Sequence, residues 1–244
     1  VYKFARQPKW IAGHVLTLVL LVVFLIAGSW QYSRHDERRE ANARIEARSA
    51  LEDLHEQDMT SLVADEAEFR TATLAGTWVG HEAVLIRNRS FNGAAGCHVV
   101  APLAIDGTTA VAINLGWVEE IRCSLTAADL AGLDGDAIVQ GRLRASQQRG
   151  RLGPKDPSTG DLETMARIDL ERLDQQVSLQ LAPLYVEALE PHIDIIPVSA
   201  PTLDAGPHLG YAVQWLLFFG VGAVGYPIVL RHHAHKGQND LPAD

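Results

Sequence analysis

The run from Leu209 to Leu230 contains no charged residue. At about 1.5 Å per residue, it is long enough to cross a hydrocarbon core about 30 Å thick. A second apolar run, from Ile11 to about Ser29, lies near the other end of the chain and follows Lys3, Arg6, Lys9 and Trp10. A secretory signal also begins with basic residues. This run is too long for a typical signal core, however, and Trp30 makes a poor cleavage site, so the expectation is a retained membrane helix. Two spans would place both chain ends on one side of a bilayer and the stretch between them on the other.

Lys and Arg placement sets the orientation. Arg231 and Lys236 follow the second run, and no Lys or Arg lies between Arg172 and Arg231. That pattern puts the C-terminus in the cytoplasm. Arg34, Arg38, Arg39, Arg44 and Arg48, beyond the first run, oppose Lys3, Arg6 and Lys9. The second helix resolves the conflict and places the middle of the chain outside the cytoplasm.

Composition supports this division. The 244 residues are 47% hydrophobic with a net charge of −9, enough for two spans and one domain. A mean hydropathy near zero conceals two apolar ends and a polar middle. The acidic balance argues against nucleic acid as a partner. Two cysteines, Cys97 and Cys123, are too few for a cysteine-rich scaffold. No nucleophile elbow, phosphate loop or HExxH motif occurs, which disfavours an enzyme.

The expected order is a cytoplasmic N-terminus (1–10), a first transmembrane helix (11–30), a helical stalk (31–66), a β-rich domain (67–190), an extended strap (191–207), a second transmembrane helix (208–230) and a cytoplasmic tail (231–244). Ser33 to about Leu54 is rich in Ala, Glu and Arg, which suits a solvated helix. Short apolar or β-branched runs then predict strands at Phe69–Trp78, Glu82–Asn88, Gly96–Ile105, Thr109–Val118, Ala137–Leu143 and Leu184–Leu189. Asp106-Gly107 predicts a hairpin turn. Helices are expected at Thr126–Gly132 and at Asp169–Leu179, with Asp169 as N-cap. Gly150–Gly160 reads as an exposed loop. The expected fold is α+β: two transmembrane helices flanking an extracytoplasmic antiparallel β-barrel-like domain with small helices.

His208, Tyr211 and Trp215 are spaced to share one face at the mouth of the second helix, and Pro207 suits the first helical position. Such a cluster fits an interfacial aromatic belt as well as a ligand site. His14 would lie about 20–25 Å from His208 along the membrane normal, too far to share a ligand. Trp30 and Gln31, at the outer end of the first helix, are better placed beside His208. Cys97-His98 with Cys123 has donors suited to Cu(I), and two unpaired thiols are a further alternative, but a disulfide is the simpler account outside the cytoplasm. His232, His233 and His235 read as part of a flexible tail rather than a metal site.

His208-Leu209-Gly210-Tyr211-Ala212-Val213-Gln214-Trp215 resembles the most specific signature of the Surfeit locus protein 1 family, the cytochrome c oxidase assembly factors. Gly28-Ser29-Trp30-Gln31-Tyr32-Ser33-Arg34, Gly76-Thr77-Trp78, Asn114-Leu115-Gly116-Trp117-Val118 and Pro183-Leu184-Tyr185-Val186 are similar to further family patterns, in the same order. Leu115 stands where the family usually has Arg, and Pro207 where it usually has Asn. The resemblance implies transient binding of haem a, with His208 as the iron ligand, and its delivery to oxidase subunit I. Tyr211, Gln214, Trp215, Trp30 and Gln31 would surround it. Expected partners are subunit I, other oxidase or supercomplex subunits, a haem a supplier and membrane lipid. The alternative is an accessory or structural subunit of the oxidase or supercomplex that never binds haem. The location implied is a bacterial plasma membrane or, alternatively, a mitochondrial inner membrane.

Overall fold

A computed structural model describes residues 3–124, 133–151, 153–192 and 194–239. The expected helix at Thr126–Gly132 lies outside the described residues. The chain forms two units, a helical pair from residues up to Arg44 and from Thr202 onward, and a sheet domain from Ile45 to Pro201.

In the helical unit, helix α1 runs Pro8–Ser49 and a second long helix spans His208–Asn239. Both are long and apolar enough to cross a membrane. The Pro207 carbonyl accepts the Tyr211 N–H at 3.2 Å, so Pro207 sits where a proline costs no helical bond. The C-terminal helix passes the expected boundary at 230 and includes His232, His233 and His235. This corrects the expectation of a flexible tail. His233 is fixed by aromatic packing, with ring centroids 4.7 Å from Phe4 and 4.9 Å from Trp10.

The expected stalk is helical only as far as Ser49. Leu54 then bridges Ala72, and Met59 is fully buried. These apolar side chains draw residues 50–66 onto the sheet, where they form a 3-10 turn at Glu56–Asp58 and a short helix α2 at Ala64–Ala67.

Among the described residues eight strands follow: β1 Thr71–Trp78, β2 Val84–Phe91, β3 Ala94–Ala104, β4 Thr109–Glu119, β5 Asp136–Ala145, β6 Thr164–Met165, β7 Gln180–Leu181 and β8 Leu184–Ala188. All six predicted strands are present. The short helix α3, Leu170–Asp174, is shorter than expected, and the C-terminal helix becomes α4. Asp169 caps α3, its carboxylate accepting the Arg172 N–H at 3.3 Å. Asp106 holds the β3–β4 turn by accepting N–H bonds from Thr108 and Thr109, each at 2.7 Å. These bonds, the Thr108 backbone N–H foremost, lower its pKa. The loop around Gly150–Gly160 is pinned at Asp156, whose buried carboxylate meets Arg87 at 2.7 Å and caps the Ala166 N–H at 2.9 Å.

The sheet is mixed, which corrects the antiparallel expectation. β6 pairs parallel with β2, and β7 and β8 pair parallel with β4. The β4–β8 pair has a topological cause. β3–β1, β1–β5, β5–β8, β8–β4 and β4–β3 form a closed circuit of pairings. Five strands cannot alternate direction all the way round a circuit, so one pair must run parallel. The long segment between β4 and β8, which contains β5, supplies the connection such a pairing needs.

Alternating side chains serve two apolar clusters. Val111 and Ile113 of β4 and Leu184 and Val186 of β8 join one cluster. Ala112 and Tyr185, between them in sequence, join the other. Both strands are therefore buried on both faces, which explains their lack of polar alternation.

Cys97 and Cys123 form a disulfide with a Cα–Cα distance of 5.9 Å. Cys97 pairs with Val118 in the hairpin, and a 3-10 turn at Glu120–Arg122 folds Cys123 back. The register slips opposite Leu115, and Gly116 takes a φ of +125°. A Cβ there would come within 2.0 Å of the Ile196 carbonyl, so only glycine admits the chain segment that pairs Ile196 with Trp117.

Candidate functional site

The two long helices pack antiparallel along a seam with steps of three and four residues. His14, Thr17, Leu21, Phe24, Gly28 and Gln31 are among the shielded positions of α1. His208, Ala212, Trp215, Phe219, Gly222 and Tyr226 are among those of α4. This spacing keeps one stripe of each helix facing the other. The Trp215 and Phe24 rings stack with centroids 5.8 Å apart, and Trp215 also lies against Gly28. A Cβ added at Gly222 would meet Leu21 at 3.0 Å.

Polar pairs close the seam near its two ends. His14 uses both ring nitrogens, with Nε2 3.1 Å from the Ala5 carbonyl and Nδ1 2.6 Å from the Tyr226 hydroxyl. The carbonyl requires an Nε2–H donor, which leaves Nδ1 to accept from the tyrosine. At the other end, His208 Nδ1 lies 2.9 Å from Gln31 Oε1. An amide oxygen can only accept, so Nδ1 carries the proton and Nε2 presents its lone pair. Nε2 makes no hydrogen bond among the described residues. His14 and Gln31 are separated by about 25 Å of helix, so the two histidines serve separate places.

An open cleft of about 460 Å³ lies beside His208, lined also by Trp30, Arg34, Glu37, Arg38 and Ala41. Arg34 donates to Glu37 at 2.8 Å, and its guanidinium carbon lies 5.9 Å from the Trp30 ring centre. Arg38 meets the Asp204 carboxylate at 3.6 Å. Asp204 also accepts the Gly206 N–H at 3.0 Å, which fixes the turn entering α4.

Of the six residues expected around the ligand, His208, Gln31 and Trp30 come together here. Trp215 lies deeper in the seam, against Phe24. Tyr211 and Gln214 are exposed and do not line the cleft. Ala212, rather than Tyr211, occupies the seam position one turn below His208. Arg34 and Arg38 were not expected in the site. The successive steps of four from Trp30 to Arg34 to Arg38 were the available signal, since they place all three on one ridge of α1.

The Cys97–Cys123 bond leaves neither sulfur as a thiolate for copper. His98 turns to Asn114, with 3.2 Å between Nδ1 and the amide nitrogen. Burial, assisted by Arg89, lowers its pKa to about 4. Nearby, Glu187 is held between Arg142 at 3.5 Å and Arg144 at 3.4 Å. Its pKa is nevertheless raised, because burial outweighs the two cations. Burial also raises the Tyr185 phenol, which meets Gln147 at 3.1 Å. Paired and capped in this way, these groups serve to support the sheet.

The SURF1 family model matches residues 18–220, which include the seam from Leu21 to Gln31 and from His208 to Phe219 and the whole sheet domain. The chain belongs to the SURF1 family. Uncharacterized SURF1-like proteins of Mycobacterium tuberculosis H37Rv and Mycobacterium bovis are each 25% identical to it over 256 aligned positions, covering 98% of this chain and 92% of theirs. The family comprises oxidase assembly factors that are not enzymes. Of the two departures from its pattern, Leu115 is buried in the sheet core, and Pro207 immediately precedes α4.

Proposed function

We propose that this SURF1-family chain aids cytochrome c oxidase assembly by holding haem a at His208 and passing it to subunit I. The observation that carries this reading is the His208–Gln31 bond. Histidines that bind metal commonly donate their second ring N–H to an acceptor, which fixes the tautomer and the ring direction. Gln31 makes that arrangement at Nδ1 and leaves Nε2 without a hydrogen bond among the described residues, on a side chain that lines the cleft. Haem iron supplies a centre that accepts an imidazole lone pair. Trp30 adds an apolar ring at the same mouth, so the residues present fit the group. Transient binding suits so open a cleft.

In this reading both long helices span the membrane, and the five-strand circuit forms a small barrel outside the cytoplasm. The Cys97–Cys123 disulfide supports an oxidising compartment for the domain.

A scaffold that binds no haem is favoured by the same contact read differently. A single polar pair in a helix seam also fixes register. The absorption spectrum of the protein purified from cells making haem a separates the two readings. A bound, His-ligated haem is expected in the wild type, with loss of that ligation in His208→Ala. Full retention in the variant leaves the scaffold reading and removes the ligand.

A further inference from the structure

The wall of the His208 cleft carries more positive charge than an iron ligand and an apolar ring require. Trp30, Arg34 and Arg38 follow one another at steps of four along α1, so their side chains rise in a column about 6 Å per step. All three line the cleft with His208. Ala41, three residues past Arg38, is also on the lining, where its side chain is small.

We infer that Arg34 and Arg38 are the carboxylate-binding groups of this cleft, so that it selects a macrocycle bearing free carboxylates over its neutral esters. The inference rests on His208 holding a porphyrin and adds the side of the ligand that is recognised. The present partners of both arginines are easily exchanged. The Arg34–Glu37 pair is exposed on both sides, at 53% and 62% of the side-chain surface. Such pairs contribute little, because water screens them. Arg38 and Asp204 are likewise about half exposed. Arg38 also donates from Nε to the Asp204 carbonyl at 3.4 Å, but that carbonyl accepts the Asn42 amide at 2.9 Å and the carboxylate keeps its bond from the Gly206 N–H, so the turn into α4 has supports besides Arg38. Each guanidinium has five N–H donors, and one or two partners leave several unused. A ligand carboxylate offers Arg a two-pronged pair, which is stronger than a single bond to a mobile side chain. Glu37 adds selection of the opposite sign, since it repels a carboxylate that approaches without displacing it from Arg34.

The geometry also divides the work. His208 and Trp30 stand at the apolar end of the column, whereas Arg34 and Arg38 lie on the polar part of α1 beyond the uncharged run. An amphipathic disc with acidic groups along one edge fits that gradient. A neutral sterol or quinone does not need it.

The test uses the full chain in detergent micelles, titrated with ferric protoporphyrin IX and separately with its dimethyl ester, and followed by Soret absorption. The wild type is expected to bind the free acid at least 10-fold more tightly than the ester. In the Arg34→Gln/Arg38→Gln double variant, that preference is expected to fall below about 2-fold while the His-ligated spectrum persists at saturation. An Arg34→Lys/Arg38→Lys variant is expected to recover part of the preference. Helical circular dichroism confirms that each variant is folded. Equal affinity of the wild type for acid and ester overturns the inference, as does a preference that survives the double Gln variant. His208→Ala reports on the underlying reading separately. It is expected to lose the axial-ligand spectrum while keeping the acid-over-ester preference. An unchanged spectrum in His208→Ala removes the ligand but not the arginine selectivity. A wild type that binds neither compound removes both.

Discussion

His98 shows how one side chain links burial to acid sensitivity. It projects from β3 toward Asn114 of β4, with Arg89 of β2 adding a second cost to protonation. Its pKa is about 4 in the folded chain against an ordinary value of 6.5. As pH falls through 6.5, the unfolded chain takes up the proton and the folded chain does not. Stability is therefore complete above about 6.5, declines toward 4 and levels off below. The span corresponds to a loss on the order of 3 kcal/mol. Urea unfolding of the full chain in detergent, followed by β-sheet circular dichroism at pH 7 and pH 4.5, checks this. His98→Gln is expected to reduce the difference between the two pH values, and an unchanged difference would assign the acid sensitivity elsewhere. The sequence showed His98 only as the neighbour of Cys97. Its partner Asn114 belongs to the next strand and emerges only from the slipped register. His208 was legible because its signature is local, and Gln31 because helix ends could be counted.

The helix seam makes a sharper demand on small residues. Gly222 faces Leu21 so closely that a Cβ at that position would sit at 3.0 Å. Gly210, Gly220 and Gly225 have nothing within 4 Å of the corresponding point. Substitution should therefore separate them. Gly222→Leu is expected to destabilise the helical pair by about 1–3 kcal/mol through overpacking, whereas Gly220→Leu is nearly neutral. Thermal loss of helical circular dichroism in detergent measures both, and equal effects would rule out the Leu21 contact as the cause. The sequence exposed these glycines but not which of them faces the partner helix, since that depends on the register His208 and Gln31 set. The strands were legible from apolar runs and turn residues. The parallel β4–β8 pair was not, because it follows from closing a circuit of five strands rather than from any local pattern. Residues 50–66 were misplaced for a similar reason: Leu54 and Met59 find their core only once the sheet exists.

At the scale of the whole molecule, the proposed reading has both long helices cross a membrane and puts the sheet domain outside the cytoplasm. Basic residues flank the apolar run of α1 on both sides and give no answer on sidedness. Arg231 follows the apolar run of α4, and no Lys or Arg precedes that run back to Arg172, so only this helix carries a one-sided signal. The disulfide agrees with it, since thiols in a bacterial cytoplasm are kept reduced. A cysteine placed at an exposed site on each side tests the two signals together. Ile138 on β5 is 76% exposed, and His235 is exposed near the end of α4. In intact spheroplasts, a membrane-impermeant maleimide is expected to label Ile138→Cys and to spare His235→Cys until the cells are lysed. The native pair contributes no background while Cys97 and Cys123 remain joined. Labelling of His235→Cys alone would invert the orientation. It would also move the His208 cleft, which lies at the start of α4, to the cytoplasmic face, where delivery of haem would have to occur from the opposite side.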